Sequence, residues 1–273
     1  MKLSIITINR NQRAGLAQTL ASVEAQTFRD FEHIIIDGAS ADGSVDEIRA
    51  YAERMDARLS FWRSEPDSGI YNAMNKGLAH AHGDYTLFLN AGDSIFDADA
   101  LKNVFAAREW NADVIYGDVA GIEARRERRI TFPEPLTLEF FYVTSISHQG
   151  SFIRRACFDG RNYDERFRVV SDWAFFLGLF LKGARFARVD KIISRFDLGG
   201  ISNQARAQRL HRSERAQVLH EKLSPETRAA CERNLVLAHA PRFLRPLLRK
   251  SQILQRAAFR CANFIRFAQA FFR

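Results

Sequence analysis

Four short apolar runs in the first hundred residues each end on side chains able to bind or hold charge. LSIITI (3–8) leads to Asn9 and Asn11, EHIIID (32–37) to Asp37, Ser40 and Asp42, RLSFWRSE (58–65) to Glu65 and Asp67, and YTLFLN (85–90) to Asn90 and Asp93. Carboxylate and amide oxygens are hard ligands. Gathered at one edge, they suit a nucleotide whose phosphates are carried by a divalent metal. The glycine-rich alternative is missing: DGASADG (37–43) is not G-x-G-x-x-G, and no Walker lysine motif occurs. Loops after strands are polar in any protein, so a single such end means little; four that converge point to a site.

Convergence requires a parallel sheet. Between the apolar runs lie helix-like segments: GLAQTLASVEAQ (15–26) with Leu16, Leu20 and Val23 at helical spacing, then about 45–54, GIYNAMNKGLAHAHG (69–83) and 98–109, followed by a fifth strand, DVIYGDV (113–119). This alternation predicts an α/β fold, whose ligands bind beyond the carboxyl ends of the strands. With 273 residues, 47% of them hydrophobic, the chain suffices for one large α/β domain and an appendage.

Charge separates the two parts. The formal net charge is +8, yet residues 201–273 hold 15 of the 40 Lys+Arg and 4 of the 32 Asp+Glu, a balance of +11 that leaves −3 for residues 1–200. A basic excess confined to the tail excludes nucleic-acid binding as the role of the main domain, and no stacking-aromatic module accompanies the tail arginines. Cys157, Cys231 and Cys261 are scattered and match neither a disulfide framework nor a metal-ligand spacing, which predicts inert thiols in a reducing compartment. MKLSIITINRN has too short an apolar run for a signal peptide, and no stretch approaches the roughly 20 apolar residues of a membrane span. The expected location is the cytoplasm, with or without attachment to the inner membrane face.

Three blocks, SIITINRN (4–11), TLASVEAQTFRDFEHIIIDGASADGS (19–44) and SEPDSGIYNAMNKGLAHAHGDYTLFLNAGD (64–93), resemble the inverting family-two glycosyltransferases with the GT-A fold, which use nucleotide-sugars. The resemblance runs over about residues 1–200. The SEPDxGIYxAMNKG block followed by LNxGD is similar to a bacterial subgroup that builds exopolysaccharide, O-antigen or related glycans. It implies a Rossmann-like, mostly parallel sheet flanked by helices in residues 1–200, with a basic helical extension in 201–273. Asp93 stands where the family's DxD-type motif holds Mn2+ or Mg2+ against the donor diphosphate. Here the stretch is Asn90-Ala91-Gly92-Asp93, one charge fewer, with Asn90 left to offer a neutral carbonyl or to contact the donor sugar. The resemblance also implies that Asp37 contacts the nucleoside, with Gly38 where many relatives have a second aspartate. Thr7, Asn9 and Asn11 would line the same pocket, and Asp67, Asn75 and Lys76 would meet the nucleotide or its phosphates. A solvated helix position is the alternative for Lys76.

An inverting transfer needs a base that takes the acceptor hydroxyl's proton. By the same resemblance that base is Asp172 in VVSDWAFFLGLFLKG (169–183), with Ser171 in place of the family's glutamate and Trp173 following. The alternative is a helix cap. SISHQGSFIRR (145–155) would form the floor of the acceptor site, with His148 and Gln149 binding acceptor or leaving phosphate, and YDERF (163–167) would be a positioning loop. The implied partners are a UDP-, GDP- or dTDP-linked sugar and a glycan or polyprenyl-linked acceptor. In the tail, Leu254, Ala258, Cys261, Ile265, Ala268 and Phe272 recur near helical spacing among arginines. Such a stripe suits an anionic membrane surface, and equally a second subunit or the chain's own domain. The competing class is a non-catalytic sugar-nucleotide or glycan-binding module on the same fold. A nucleotidyltransferase would want an early glycine-rich, basic phosphate loop, which the sequence lacks.

Overall fold

The computed structural model describes residues 1–106, 109–123, 126–160, 162–198 and 205–240, with residues 244, 245, 248, 251, 255 and 259 beyond them. Its centre is a nine-stranded sheet. Strands β1 (Leu3–Asn9), β2 (Phe31–Asp37), β3 (Leu59–Ser64) and β4 (Tyr85–Asn90) lie parallel in the order β3-β2-β1-β4. β8 (Ser151–Arg154) runs antiparallel to β4 and to β6 (Val114–Glu123), and β9 (Phe186–Asp197) is parallel to β6. β5 (Ser94–Ile95) pairs with β9, and β7 (Arg126–Ile130) folds back on β6.

Every residue of β1 and β2 is buried, as expected of parallel strands covered on both faces. Alternate side chains feed two separate cores. Ile6, Ile8, Ile34, Ile36 and Phe88 pack on one face with helices α3 (Ile70–Leu78) and α6 (Ser171–Leu181). Leu3, Ile5, Ile35, Leu87 and Leu89 pack on the other with α1 (Arg13–Glu24), α2 (Ser44–Met55) and α4 (Ala100–Phe105). Helix α3 sits close to the sheet because Gly77 has no side chain: a Cβ there would stand 2.5 Å from Ile6 Cγ2.

The register brings the predicted strand ends together. Asn9 is level with Asp37, Asp37 with Ser64, and Ile8 with Asn90. The first four strands and the helices between them stand where the sequence places them, with α3 and α4 shorter than expected. Four elements carried no sequence signal that was read: β5, β7, α5 (Leu138–Val143) and β9. β7 is the return strand of a hairpin on β6, whereas β5, α5 and β9 are held by partners distant in the chain. After residue 204 come α7 (Ala205–Lys222) and α8 (Pro225–His239). Both pack on the α/β body: Val218 of α7 joins the α6 core, and Leu235 of α8 joins Tyr142 of α5. The stripe from Leu254 to Phe272 lies outside the described residues. No described helix is long and apolar enough to cross a membrane.

Candidate active site

At the end of β4 the chain turns through Gly92 (φ +101°) and doubles back into β5. The turn closes on itself: Asp93 N donates to Asn90 O, and Asn90 N donates to Asp93 Oδ2, both at 2.9 Å. Helix α1 clamps it from below, with Thr19 Oγ1 donating to Asp93 O at 2.6 Å and accepting from Gly92 N at 3.0 Å. The Asp93 carboxyl group is thus held in one place and is only 7% exposed. Burial pushes its pKa up to about 6, against the pull of His148, the Asn90 amide and the Gln149 side chain.

Across the cleft, Asp172 stands in the first turn of α6, an almost wholly apolar helix. Its carboxylate oxygens do not go to a capping bond. Oδ1 accepts from Tyr71 Oη at 2.9 Å, and Oδ2 lies 3.0 Å from His148 Nδ1. Burial opposes its charge, but the hydrogen bonds from His148 and Tyr71 outweigh it, so its pKa falls below the usual carboxylate range. His148 responds in the opposite sense: burial lowers its pKa, and the bond and charge of Asp172, with Asp93 beyond, raise it above the ordinary value. The imidazole also bridges to the Asp93 turn, with Nε2 3.4 Å from Asn90 Nδ2. Asp172, His148, Asn90 and Asp93 therefore form one polar chain across the cleft.

Among the described residues, no three His, Cys, Asp or Glu side chains are gathered as a metal cage. Asp93 and Asn90 nevertheless fit a cation bound largely through substrate phosphates. They offer a carboxylate and a buried amide oxygen, Asn90 Oδ1, that has no hydrogen-bond partner. Hard divalent ions are commonly held by one or two protein oxygens plus phosphate.

A second polar cluster, where the sequence predicts nucleoside contact, is built on β2. Asp37 is fully buried and accepts from Asn9 Nδ2 (2.7 Å), Ser40 Oγ (2.6 Å), Ser40 N (2.9 Å) and Ser64 Oγ (2.6 Å). Burial raises its pKa, and these bonds more than reverse the effect. Asn11 (φ +50°) bonds Ser40 Oγ and Ala41 N, tying the first strand end to the second. Asp67 accepts from Gly69 N at 2.9 Å and faces Arg10 at 3.8 Å. A Cβ on Gly38 would meet Asp67 Oδ2 at 2.2 Å. The glycine makes room for a carboxylate arriving from the neighbouring loop.

Four expected contacts have other partners. Thr7 is fully buried, 2.9 Å from His33 Nε2, because it lies two residues inside the strand end with its side chain on a helix-covered face of the sheet. Asn75 bonds the Tyr163 main chain and Glu165, and so anchors the YDERF loop to α3. Lys76 pairs with Glu65 and the Pro66 carbonyl. Trp173 is 3% exposed, and its indole N–H goes to Phe141 O. Tyr71 was missed. It precedes Asn75 by one helical turn and shares its face, the signal that would have found it.

Comparison with known proteins agrees with this architecture. The model of Glycosyl transferase family 2 matches residues 4–172. A PGL/p-HBAD biosynthesis glycosyltransferase of Mycobacterium tuberculosis is 34% identical over 206 residues, 73% of this chain and 78% of that protein. A cholesterol galactosyltransferase of Borreliella burgdorferi is 26% identical over 210 residues, 69% of this chain and 58% of the other. Among solved structures, S. aureus TarS in complex with UDP-GlcNAc superposes with a TM-score of 0.64 at 20% identity, over 95% of this chain and 88% of that one. The mannosyltransferase PcManGT from Pyrobaculum calidifontis, in complex with GDP-Man and Mn2+, gives 0.60 at 15% identity, over 99% and 73%. The GT-A sheet, the acidic turn after its fourth strand and these matches lead to one conclusion: the chain belongs to glycosyl transferase family 2.

Proposed function

We propose that this glycosyltransferase moves a sugar, with inversion at the anomeric carbon, from a nucleoside-diphosphate donor to a hydroxyl of a glycan or lipid-linked glycan. Residues 1–200 form the catalytic domain in this reading. One observation carries it: Asp172 is kept ionised by His148 and Tyr71, with the Asp93 turn joined to it through the same histidine. A carboxylate held charged in a partly dry cleft suits abstraction of the acceptor proton. As the acceptor oxygen bonds to the anomeric carbon its proton passes to Asp172, and the bond from that carbon to the diphosphate oxygen breaks, releasing the nucleoside diphosphate.

Asp93 and Asn90 would hold Mn2+ or Mg2+; when bound, the ion supplies Lewis-acid stabilisation of charge on the leaving diphosphate. His148 and Gln149 lie beside Asp93 and face the same leaving group. Asp37, Asn9, Asn11 and Asp67 shape the nucleoside end, the first three by bracing its loop. UDP-, GDP- and dTDP-sugars are the candidate donors; the TarS and PcManGT complexes hold UDP-GlcNAc and GDP-Man. The cholesterol galactosyltransferase among the relatives supports a lipid acceptor; synthesis of surface glycan or glycolipid, in the cytoplasm or at the inner face of its membrane, is part of this proposal. The +11 charge of residues 201–273 supports contact with anionic lipid.

The test is Asp172→Asn. A transferase loses sugar transfer and keeps donor binding by calorimetry; a binding module has no transfer to lose. Transfer at the wild-type rate by Asp172→Asn would refute the assignment of the base.

A further inference from the structure

Helix α7, in the basic extension, reaches the base side of the cleft with two adjacent buried side chains. Glu214 is 7% exposed and Arg215 9%. Glu214 accepts from two successive amides, Arg168 N at 2.8 Å through Oε1 and Val169 N at 3.0 Å through Oε2. Those amides lie four and three residues before Asp172, in the turn that feeds α6. The residue capping α6, Val170, has no side-chain acceptor to offer, so the turn is held from another helix.

Arg215 works on the other side of the same helix start. Its guanidinium lies 3.8 Å from the ring centroid of Trp173, the residue after Asp172. It also donates to the carbonyls of Phe141 (3.2 Å) and Tyr142 (3.1 Å) in the last turn of α5. One side chain thereby links the helix that carries Asp172 to the segment that runs on to His148. A planar guanidinium can stack and fork in this way; an ammonium cannot. Burial lowers the Arg215 pKa to about 9, and the negative charge of Asp172 acts against that fall. The same carboxylate is felt by His211, one turn earlier on α7.

We propose that Glu214 and Arg215 are positioning residues for the transfer reaction, clamping the Asp172 turn and the α5 end so that the base meets the acceptor hydroxyl. The proximal part of the extension is then a component of the catalytic unit. This rests on the reading of Asp172 as the base.

Glu214→Gln keeps the shape but leaves one acceptor oxygen for two N–H groups and turns an NH2 toward the other. In the full chain it is expected to lower kcat about tenfold or more, since small misplacements of a reacting group cost that much. Donor KM stays unchanged, and amide exchange at residues 168–172 speeds up. Arg215→Lys, which keeps the charge, should lose less than Arg215→Met, and Arg215→Met should move the acidic limb of the kcat profile to higher pH. Val218→Ala controls for stability alone: it trims α7 packing in the core without touching these bonds, so its Tm falls while kcat well below Tm holds.

A Glu214→Gln variant with wild-type kcat, with unchanged exchange at 168–172, or with losses no different from Val218→Ala at equal Tm would overturn the proposal. If the wild-type protein transfers no sugar from any UDP-, GDP- or dTDP-linked donor, the transferase reading fails instead. The exchange measurement still decides whether α7 holds the turn.

Discussion

His148 Nδ1 stands 3.0 Å from Asp172 Oδ2, while the opposite ring nitrogen lies 3.4 Å from the Asn90 amide. One imidazole therefore touches the carboxylate on α6 and the turn that ends β4. With Nδ1–H directed to Asp172, neutral His148 accepts from Asn90 at Nε2. The histidine keeps Asp172 ionised and fixes its direction.

Removing either partner of Asp172 should therefore weaken the base. Tyr71→Phe and His148→Gln each delete one hydrogen bond to a charged group, worth about 1.5–3 kcal/mol. The expected result is about a 10- to 100-fold lower kcat with donor KM little changed. The Asp172 pKa rises in both, so the acidic limb of the kcat profile moves to higher pH. Steady-state kinetics across pH check this, and the double variant should lose less than the two single losses combined, because both act through one carboxylate.

Asp93 sets function against stability. Its folded pKa of about 6 lies above its ordinary 3.8. The protonated form is thus the one the fold favours, and that contribution is complete below 3.8 and lost as pH rises through about 6. Above neutral pH the buried charge is a cost, which Asp93→Asn removes. The apo protein should gain on the order of 1–3 kcal/mol in urea unfolding, while metal-dependent transfer collapses.

Asn75→Ala discriminates between contact with the nucleotide and support of a loop. Its amide bonds Tyr163 and Glu165. Losing these should cost about 1–3 kcal/mol of stability and loosen residues 163–165, leaving donor affinity by calorimetry near wild type. A large fall in donor affinity with unchanged Tm would restore the nucleotide contact.

Beneath the site, His33 is fully buried between Thr7 and Tyr51, and burial drives its pKa down to about 3 from 6.5. A depressed folded pKa means the stabilisation is complete above 6.5 and drains away as pH falls from 6.5 toward 3. Each unit costs about 1.4 kcal/mol per such group. His148, with its pKa raised, works in the opposite direction. Comparing urea midpoints of wild type and His33→Gln from pH 7 to pH 5 isolates the His33 slope, which should be absent from the variant.

Sequence alone determined the parallel half of the fold and the carboxylates at its edge. The short, continuous apolar runs of β1, β2 and β4 are local properties, and so is the punctuation by Asn9, Asp37 and Asn90; both can be read along the chain. It also placed Asp172 at the start of an apolar helix and marked His148 and Gln149. It could not separate Asp37, whose four lone-pair directions are filled by Asn9, Ser40 and Ser64, from an acceptor left open to a ligand. Nor could it see the internal partners that Thr7, Asn75, Lys76 and Trp173 have. Those outcomes depend on which groups the folded packing sets beside each side chain. The bonds that define the site span 101 residues from Tyr71 to Asp172, 58 from Asn90 to His148 and 46 from Arg168 to Glu214. No local pattern encodes such pairings; only packing of the two cores against the sheet brings the groups within hydrogen-bonding range.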